Sequence, residues 1–286
     1  MRITTLTFGL IALCAGCSSS KPLETTATGG TGGTAAEVCT PPGYGTEVAP
    51  VSFEQVTATV LDPTGSAVPN LFLQICGINQ CYPVSANANG KVSYVPGEAL
   101  ERAAFKYGDG FDFAELAAPL GTSPKQDLGQ FVVLPLPSYA EGAAFPKHGP
   151  VTNGDLTLFV DSDKQVDPDE LTYPDTSDQV FRSVSIPLAQ STRALPGSFG
   201  FELAFGVAPI GTVFCPAARL SVKNSLDWAP GTEVEVFVQG LAVEEEWAPY
   251  GSWVKVADAS VSSDGSSIDT TSGGITILSS IALRRK

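Results

Sequence analysis

The sequence predicts an all-β fold class, with two consecutive antiparallel β-sandwich domains behind an apolar leader and a flexible tether. Three observations carry this. Glycine (29) and proline (22) are plentiful in a chain of 286 residues, which matches a turn-rich β protein. No long run repeats with the helical period, whereas short runs alternate apolar and polar residues with period two. Hydrophobic residues reach 43% and charged ones only 16%, so there is enough apolar side chain to bury a core.

Residues 1–16 come first. Arg2 is the one basic residue there, Leu6–Leu13 is apolar apart from Thr7 and Gly9, and Ala15 and Gly16 are small. A short apolar run ending at small residues reads as a signal peptide, too short to span a bilayer as a helix. The string Leu13-Cys14-Ala15-Gly16-Cys17 resembles the lipobox of bacterial lipoproteins, with Cys14 where leucine is usual. That resemblance implies cleavage before Cys17 and acylation of it, palmitate included. Ser18 rather than aspartate beside it implies transfer to the outer membrane, on a face left open. Ordinary signal cleavage without a lipid is the alternative. Residues 17–46 then hold the lipidated cysteine and a Gly/Thr/Ser tether, whose Ser18–Glu37 stretch buries nothing. About twenty residues of this kind reach roughly 25 Å as a random coil.

The first domain is expected over 47–145. Val56–Val60 alternates with period two, and Asp62-Pro-Thr-Gly65 breaks it as a turn. Leu71–Ile75, Lys91–Val95 and Gly129–Leu134 read as further strands. Cys76 and Cys81 bracket Gly-Ile-Asn-Gln, so a hairpin would bring them opposite each other as a disulfide. Cys39 and Cys215 then pair by elimination, although four cysteines allow three connectivities. A zinc site is the competing reading of the C-x4-C spacing. No histidine is near it, and an oxidising compartment favours the disulfide.

The second domain is expected over 146–286. Its strand candidates are Asp155–Val160, Val180–Ile186, Phe201–Phe205, Ala218–Val222, Glu233–Val238, Ser252–Val256 and Ile275–Leu283. Asp264-Gly265, between Ala259-Ser-Val-Ser262 and Ser267-Ile-Asp-Thr270, marks a hairpin.

The strand from Val56, the turn Asp62-Pro-Thr-Gly-Ser-Ala-Val-Pro69 and Gly90-Lys-Val-Ser-Tyr94 resemble the carboxypeptidase regulatory-like domain. That resemblance implies a transthyretin-like sandwich over Val48–Pro137. Phe214–Val222, Trp253-Val-Lys-Val256 and Ser263-Asp-Gly265 resemble the β-sandwich shared by netrin receptors and ankyrins, over Val151–Leu283. The whole arrangement is similar to uncharacterised lipoproteins of myxobacterial type, which implies no activity.

The formal net charge of -14 repels nucleic acid and anionic lipid, so neither is an expected direct partner. Membrane is reached through the lipid anchor, and no later segment holds eighteen consecutive apolar residues. The only histidine, His148, stands between Pro146 and Pro150, where an exposed linker residue is expected rather than a triad member. No Gly-x-Ser-x-Gly elbow exists, and one histidine cannot build the usual catalytic zinc site. Five acids fall within Asp161–Glu170; Asp161, Asp163, Asp167 and Asp169 are weak calcium candidates. Gln165 breaks the D-x-[DN]-x-[DN]-G spacing, so a solvated turn is the favoured reading. Trp228, Trp247 and Tyr250 are the candidate ligand-binding residues, as flat rings able to stack on sugars. Packing in the core or over the sheet ends is the favoured reading of them. The expectation is therefore a protein with no enzymatic activity and no cofactor, an envelope interaction or scaffold module. A carbohydrate-binding adhesin is the alternative, so an envelope protein or a glycan is the expected partner.

Overall fold

Val56, Ala58 and Val60 are buried along one face of the first strand while Thr57 and Thr59 lie on the other, and this period-two pattern sets the segment as a strand. The computed structural model describes residues 40–43, 48–162, 164–242 and 247–286. Cys17, Cys39, Asp163, the acids at 244–246, the leader and the Ser18–Glu37 tether lie outside the described residues.

Seven strands form the first region. They are β1 (Gln55–Leu61), β2 (Phe72–Cys76), β3 (Cys81–Ser85), β4 (Lys91–Tyr94), β5 (Ala104–Tyr107), β6 (Leu116–Pro119) and β7 (Lys125–Val132). They make a sheet of three, β4-β1-β7, and a sheet of four, β3-β2-β5-β6. One core joins the two sheets, with Val56, Val60 and Phe131 from the first and Leu73, Ile75 and Phe105 from the second. β1 and β7 run parallel, the exception to antiparallel pairing among the described strands.

Twelve shorter and longer strands follow. β8 (Ala143–Ala144), β9 (Gly149–Asn153), β10 (Leu156–Val160), β11 (Val166–Asp167), β12 (Val180–Ser185) and β13 (Leu203–Ala208) come first. β14 (Val213–Lys223), β15 (Glu233–Gln239), β16 (Trp253–Val261), β17 (Ser267–Gly273), β18 (Ile275–Ile277) and β19 (Ile281–Arg285) complete the set. They form one twelve-stranded sheet, ordered β8-β12-β13-β19-β15-β16-β17-β14-β10-β9 with β11 and β18 also on β14. The sheet curls until its ends meet. The Ser183 N–H of β12 donates to Asn153 Oδ1 of β9 at 2.7 Å, and Ser183 Oγ donates to the Asn153 carbonyl at 2.5 Å. A near-barrel results, closed at this seam by side chains rather than by a ladder.

β13, the second half of β15 and the first half of β19 are buried on both faces, and β13 accordingly reads as an unbroken apolar run. On β13, β15 and β19, Phe205, Val207, Val234, Val236, Ile281 and Leu283 fill the barrel. From the same strands Ala204, Ala208, Phe237 and Ala282 join the core of the first region. That core therefore runs unbroken past residues 145–146, and all described residues fall within one compact unit.

A bulge decides where Trp253 points. Val236 pairs with Ala257 but Phe237 pairs with Lys255, leaving Val256 as the extra residue on β16. Side-chain parity changes across it, so Ala257, Ala259 and Val261 face the barrel while Trp253 faces the first region. The expected single strand over 275–283 divides at Leu278-Ser-Ser280. β18 pairs with β14, whereas β19 lies between β13 and β15.

An ion-pair network holds β19 to its neighbours. Lys255 Nζ lies 2.7 Å from Asp258 and 3.2 Å from Glu235, Lys286 Nζ lies 2.9 Å from Asp258, and Arg284 lies 2.8 Å from Glu235. Hydrogen bonds from Lys255 and then Lys286 hold the Asp258 carboxyl down at about 2, against an ordinary 3.8. Arg284 lowers Glu235 in the same way, and Arg285 lowers Glu202. A depressed carboxyl stabilises the fold above its ordinary value and loses that effect as pH falls through the folded one. Between about pH 4 and pH 2 the wild-type Tm is expected to fall further than that of Asp258→Asn. Equal losses in a thermal titration would contradict the role given to this network.

Candidate functional site

The seam between the two regions is built from hydrogen bonds as well as core. Gln239, fully buried at the end of β15, reaches the free edge of β6. Its Oε1 accepts the Ala117 N–H at 3.1 Å, and its Nε2 donates to the Ala117 carbonyl at 2.7 Å. A side-chain amide thus continues the sheet where no strand could follow. Ser280 Oγ donates to the Glu115 carbonyl at 2.8 Å, and Trp253 Nε1 donates to the Ala194 carbonyl at 2.7 Å. Buried Arg182 donates from Nη1 to the carbonyls of Phe111 (2.7 Å) and Pro137 (3.2 Å), and its guanidinium lies 3.8 Å from the Tyr139 ring centroid.

Beside this seam opens a cleft of about 620 Å³. β2 supplies Phe72 and Gln74 and β5 supplies Lys106. The loop leading to β6 supplies Asp109 and Phe111, and Glu115 stands next to that strand. The barrel contributes Asp169, Thr172 and Tyr173 from the loop before β12, Ile210 from the rim between β13 and β14, and Leu241 after β15. Lys106 Nζ sits 2.9 Å from Glu115 Oε1, with both side chains mostly buried, and also donates to the Leu241 carbonyl at 3.2 Å. Phe72 and Phe111 remain 50% and 36% exposed, and Phe111 lies 5.0 Å from the Tyr173 ring. Two partly bare aromatic rings therefore share the cleft with a paired cation and carboxylate.

The walls are fixed. Asp109 Oδ1 accepts three N–H groups, those of Phe111, Asp112 and Phe113, each at 2.9 Å. Gly108 at φ +81° begins this loop, and a Cβ there would sit 1.9 Å from the Ala114 carbonyl oxygen. Opposite, Asp169 accepts the N–H groups of Leu171 and Thr172 and the Thr172 hydroxyl. The Tyr173 hydroxyl donates to the Gly110 carbonyl at 3.0 Å and accepts the Ile210 N–H at 3.1 Å, tying both walls together. Burial pushes this phenol above its ordinary value of 10, so it stays protonated at neutral pH.

The residues singled out from sequence are distributed unevenly around this cleft. Cys76 and Cys81 are bonded as a disulfide across the β2–β3 hairpin, and Cys81 lines the cleft. Cys215 is disulfide-bonded, with its partner outside the described residues. The ring platform is corrected by burial. Trp228, Trp247 and Tyr250 are only 8%, 7% and 3% exposed. Trp228 caps one barrel end, pinned by Asn224, which accepts its N–H and donates to its carbonyl. Trp247 closes the barrel core with Ile277 and Leu278, and Tyr250 packs on Cys76, Ala104 and Ala117. None of the three offers an open ring face. Asp161 lies 3.6 Å from Arg219, Asp167 is in β11, and Asp169 is the turn acceptor described above. Among the described residues no three or more His, Cys, Asp or Glu side chains are grouped to hold a metal. His148 is exposed where β9 begins, outside the cleft. Phe72, Phe111, Lys106 and Glu115 belong to no sequence motif. Their one signal was a bare phenylalanine beginning a strand, Phe72 beside Leu71 and Leu73.

No protein-family model and no curated protein matches this chain. A solved structure, that of a DUF3823 family protein from Parabacteroides merdae, aligns with 80% of this chain and 100% of its own. The identity is 9% and the TM-score 0.21, too loose a likeness to bear on function.

Proposed function

We propose that this chain is a lipid-anchored protein of the cell envelope whose folded part is a non-catalytic interaction or scaffold module, with the seam cleft as its contact site. The observation that carries this reading is the rigid construction of the cleft. Its walls come from both regions, and Gln239, Tyr173 and Arg182 lock them together. Preorganised walls lower the ordering cost of binding. The titratable groups of the cleft are already engaged: Lys106 with Glu115, and Asp109 and Asp169 with turn N–H groups. That engagement favours holding a ligand over transferring a proton. Seven strands in joined sheets of three and four support the transthyretin-like assignment of the first region. Cys17 carries the lipid in this reading, the outer membrane is the site of anchorage, and the remainder stands off the membrane on its tether.

The test places a photo-crosslinking amino acid at Phe72 in intact cells, with Lys91 on exposed β4 as the control position. Covalent capture of an envelope component from Phe72 and not from Lys91 is expected. In the Cys17→Ala background, acyl labelling and that capture should both disappear. Equal capture from both positions, or none from Phe72, would overturn the assignment of the cleft. Labelling that persists without Cys17 would overturn the anchor.

A further inference from the structure

We infer that the seam cleft binds a neutral saccharide, stacked between Phe72 and Phe111 and hydrogen-bonded at its floor by Lys106 and Glu115. This rests on the reading of the cleft as the contact site of the module. A volume of about 620 Å³ falls within the roughly 300–1,000 Å³ of small-molecule sites. The chemistry of the lining then narrows the ligand.

Phe72 begins β2 and leaves half its surface bare, while Leu73 and Ile75 on the same strand are buried. Phe111 is held by Tyr173 with its own ring still partly open to the cleft. Aromatic faces of this kind gain dispersion and electrostatic attraction from the C–H-rich faces of a sugar ring. The floor asks for groups that donate and accept at once. Lys106 Nζ and Glu115 Oε1 are 2.9 Å apart, and Gln74 beside them offers both a carbonyl and an amide. A hydroxyl satisfies an ammonium with its lone pairs and a carboxylate with its proton, and vicinal hydroxyls do both together.

Charge disfavours ionic ligands. Three acids, Asp109, Glu115 and Asp169, face one lysine, so phosphates and uronates are repelled. An amine gains little, because Glu115 is paired with Lys106 and the other two acids are partly compensated by the N–H groups they accept. A neutral polyol ring suits both the aromatic walls and the paired floor.

The test uses full-length acylated protein in a sugar-free zwitterionic detergent, titrated calorimetrically. The probes are maltose, cellobiose, lactose and chitobiose, with glucuronic acid and spermidine as charged counterparts. At least one neutral disaccharide is expected to bind, and neither charged probe. Phe72→Ala should weaken binding about tenfold, the scale of one lost aromatic contact, with an unchanged melting temperature because the ring is half exposed. Binding by none of the neutral sugars, binding by spermidine alone, or affinity indifferent to Phe72→Ala would each overturn the assignment. Should every sugar fail while Phe72 still crosslinks in cells, the saccharide falls and the binding module stands. Loss of both removes the module reading itself.

Discussion

Trp253→Ala is expected to destabilise the protein by about 4 kcal/mol, the range for removing a buried tryptophan. Three losses combine. The ring packs 5.0 Å from Phe201 within the shared core, so its removal leaves a cavity where the two regions meet. The Ala194 carbonyl, on a fully buried residue, loses the Nε1–H that reaches it at 2.7 Å. The bulge at Val256 then presents alanine to a surface shaped for a large ring. Trp253→Phe keeps most of the packing and should cost about 1–2 kcal/mol, mainly for the lost Nε1–H bond, since the Ala194 carbonyl keeps only the longer one from Gln239 Nε2 at 3.4 Å. Denaturant melts of both variants check this; equal midpoints for Trp253→Ala and wild type would place Trp253 outside the energetic seam.

Gln239→Leu is expected to cost about 3 kcal/mol although leucine nearly preserves volume. The loss is polar: the N–H and carbonyl of Ala117 stay buried on the β6 edge without partners, at about 1–3 kcal/mol for each unmet group. Because Ala117 lies far from Gln239 in sequence, the effect should appear in both regions. The denaturant midpoint read at Tyr107, in the first region, should move together with the one read at Trp228, in the barrel. A shift confined to one probe would show that the amide bridge does not couple them.

Much of the fold could be read from period-two patterning, because inward residues of half-buried strands alternate. Val56–Val60, Lys91–Val95 and Val180–Ile186 were legible this way and became β1, β4 and β12 within a residue or two. So were the Cys76–Cys81 hairpin and the Asp264-Gly265 turn between β16 and β17. β5 and β6 escaped because Ala104–Tyr107 and Leu116–Pro119 are short and mostly buried, leaving no polar alternation to mark them. β9 escaped because Gly149 and Pro150 read as linker. Period two keeps Trp253 and Lys255 on one face, and the extra residue Val256 decides which region that face meets.

The cleft was not legible. Phe72, Lys106, Phe111, Glu115 and Tyr173 converge only after two sheets and a curled third have formed. No spacing rule encodes that distance. Trp228, Trp247 and Tyr250 could be read from sequence in two ways for a related reason. Large rings near Ala-Pro loops are as useful for closing barrel ends as for binding, and burial decided the matter.

The two β regions share one core, and their seam builds the cleft. Native-state hydrogen exchange across a low-denaturant series tests this most directly. The Phe105 amide of β5 and those of Val236 and Ala282 in the barrel are expected to converge on one opening free energy with one denaturant dependence. Exchange at Phe105 through an opening several kcal/mol cheaper than that of β15 and β19 would contradict it. The first region would then open independently, and the cleft would be a transient gap.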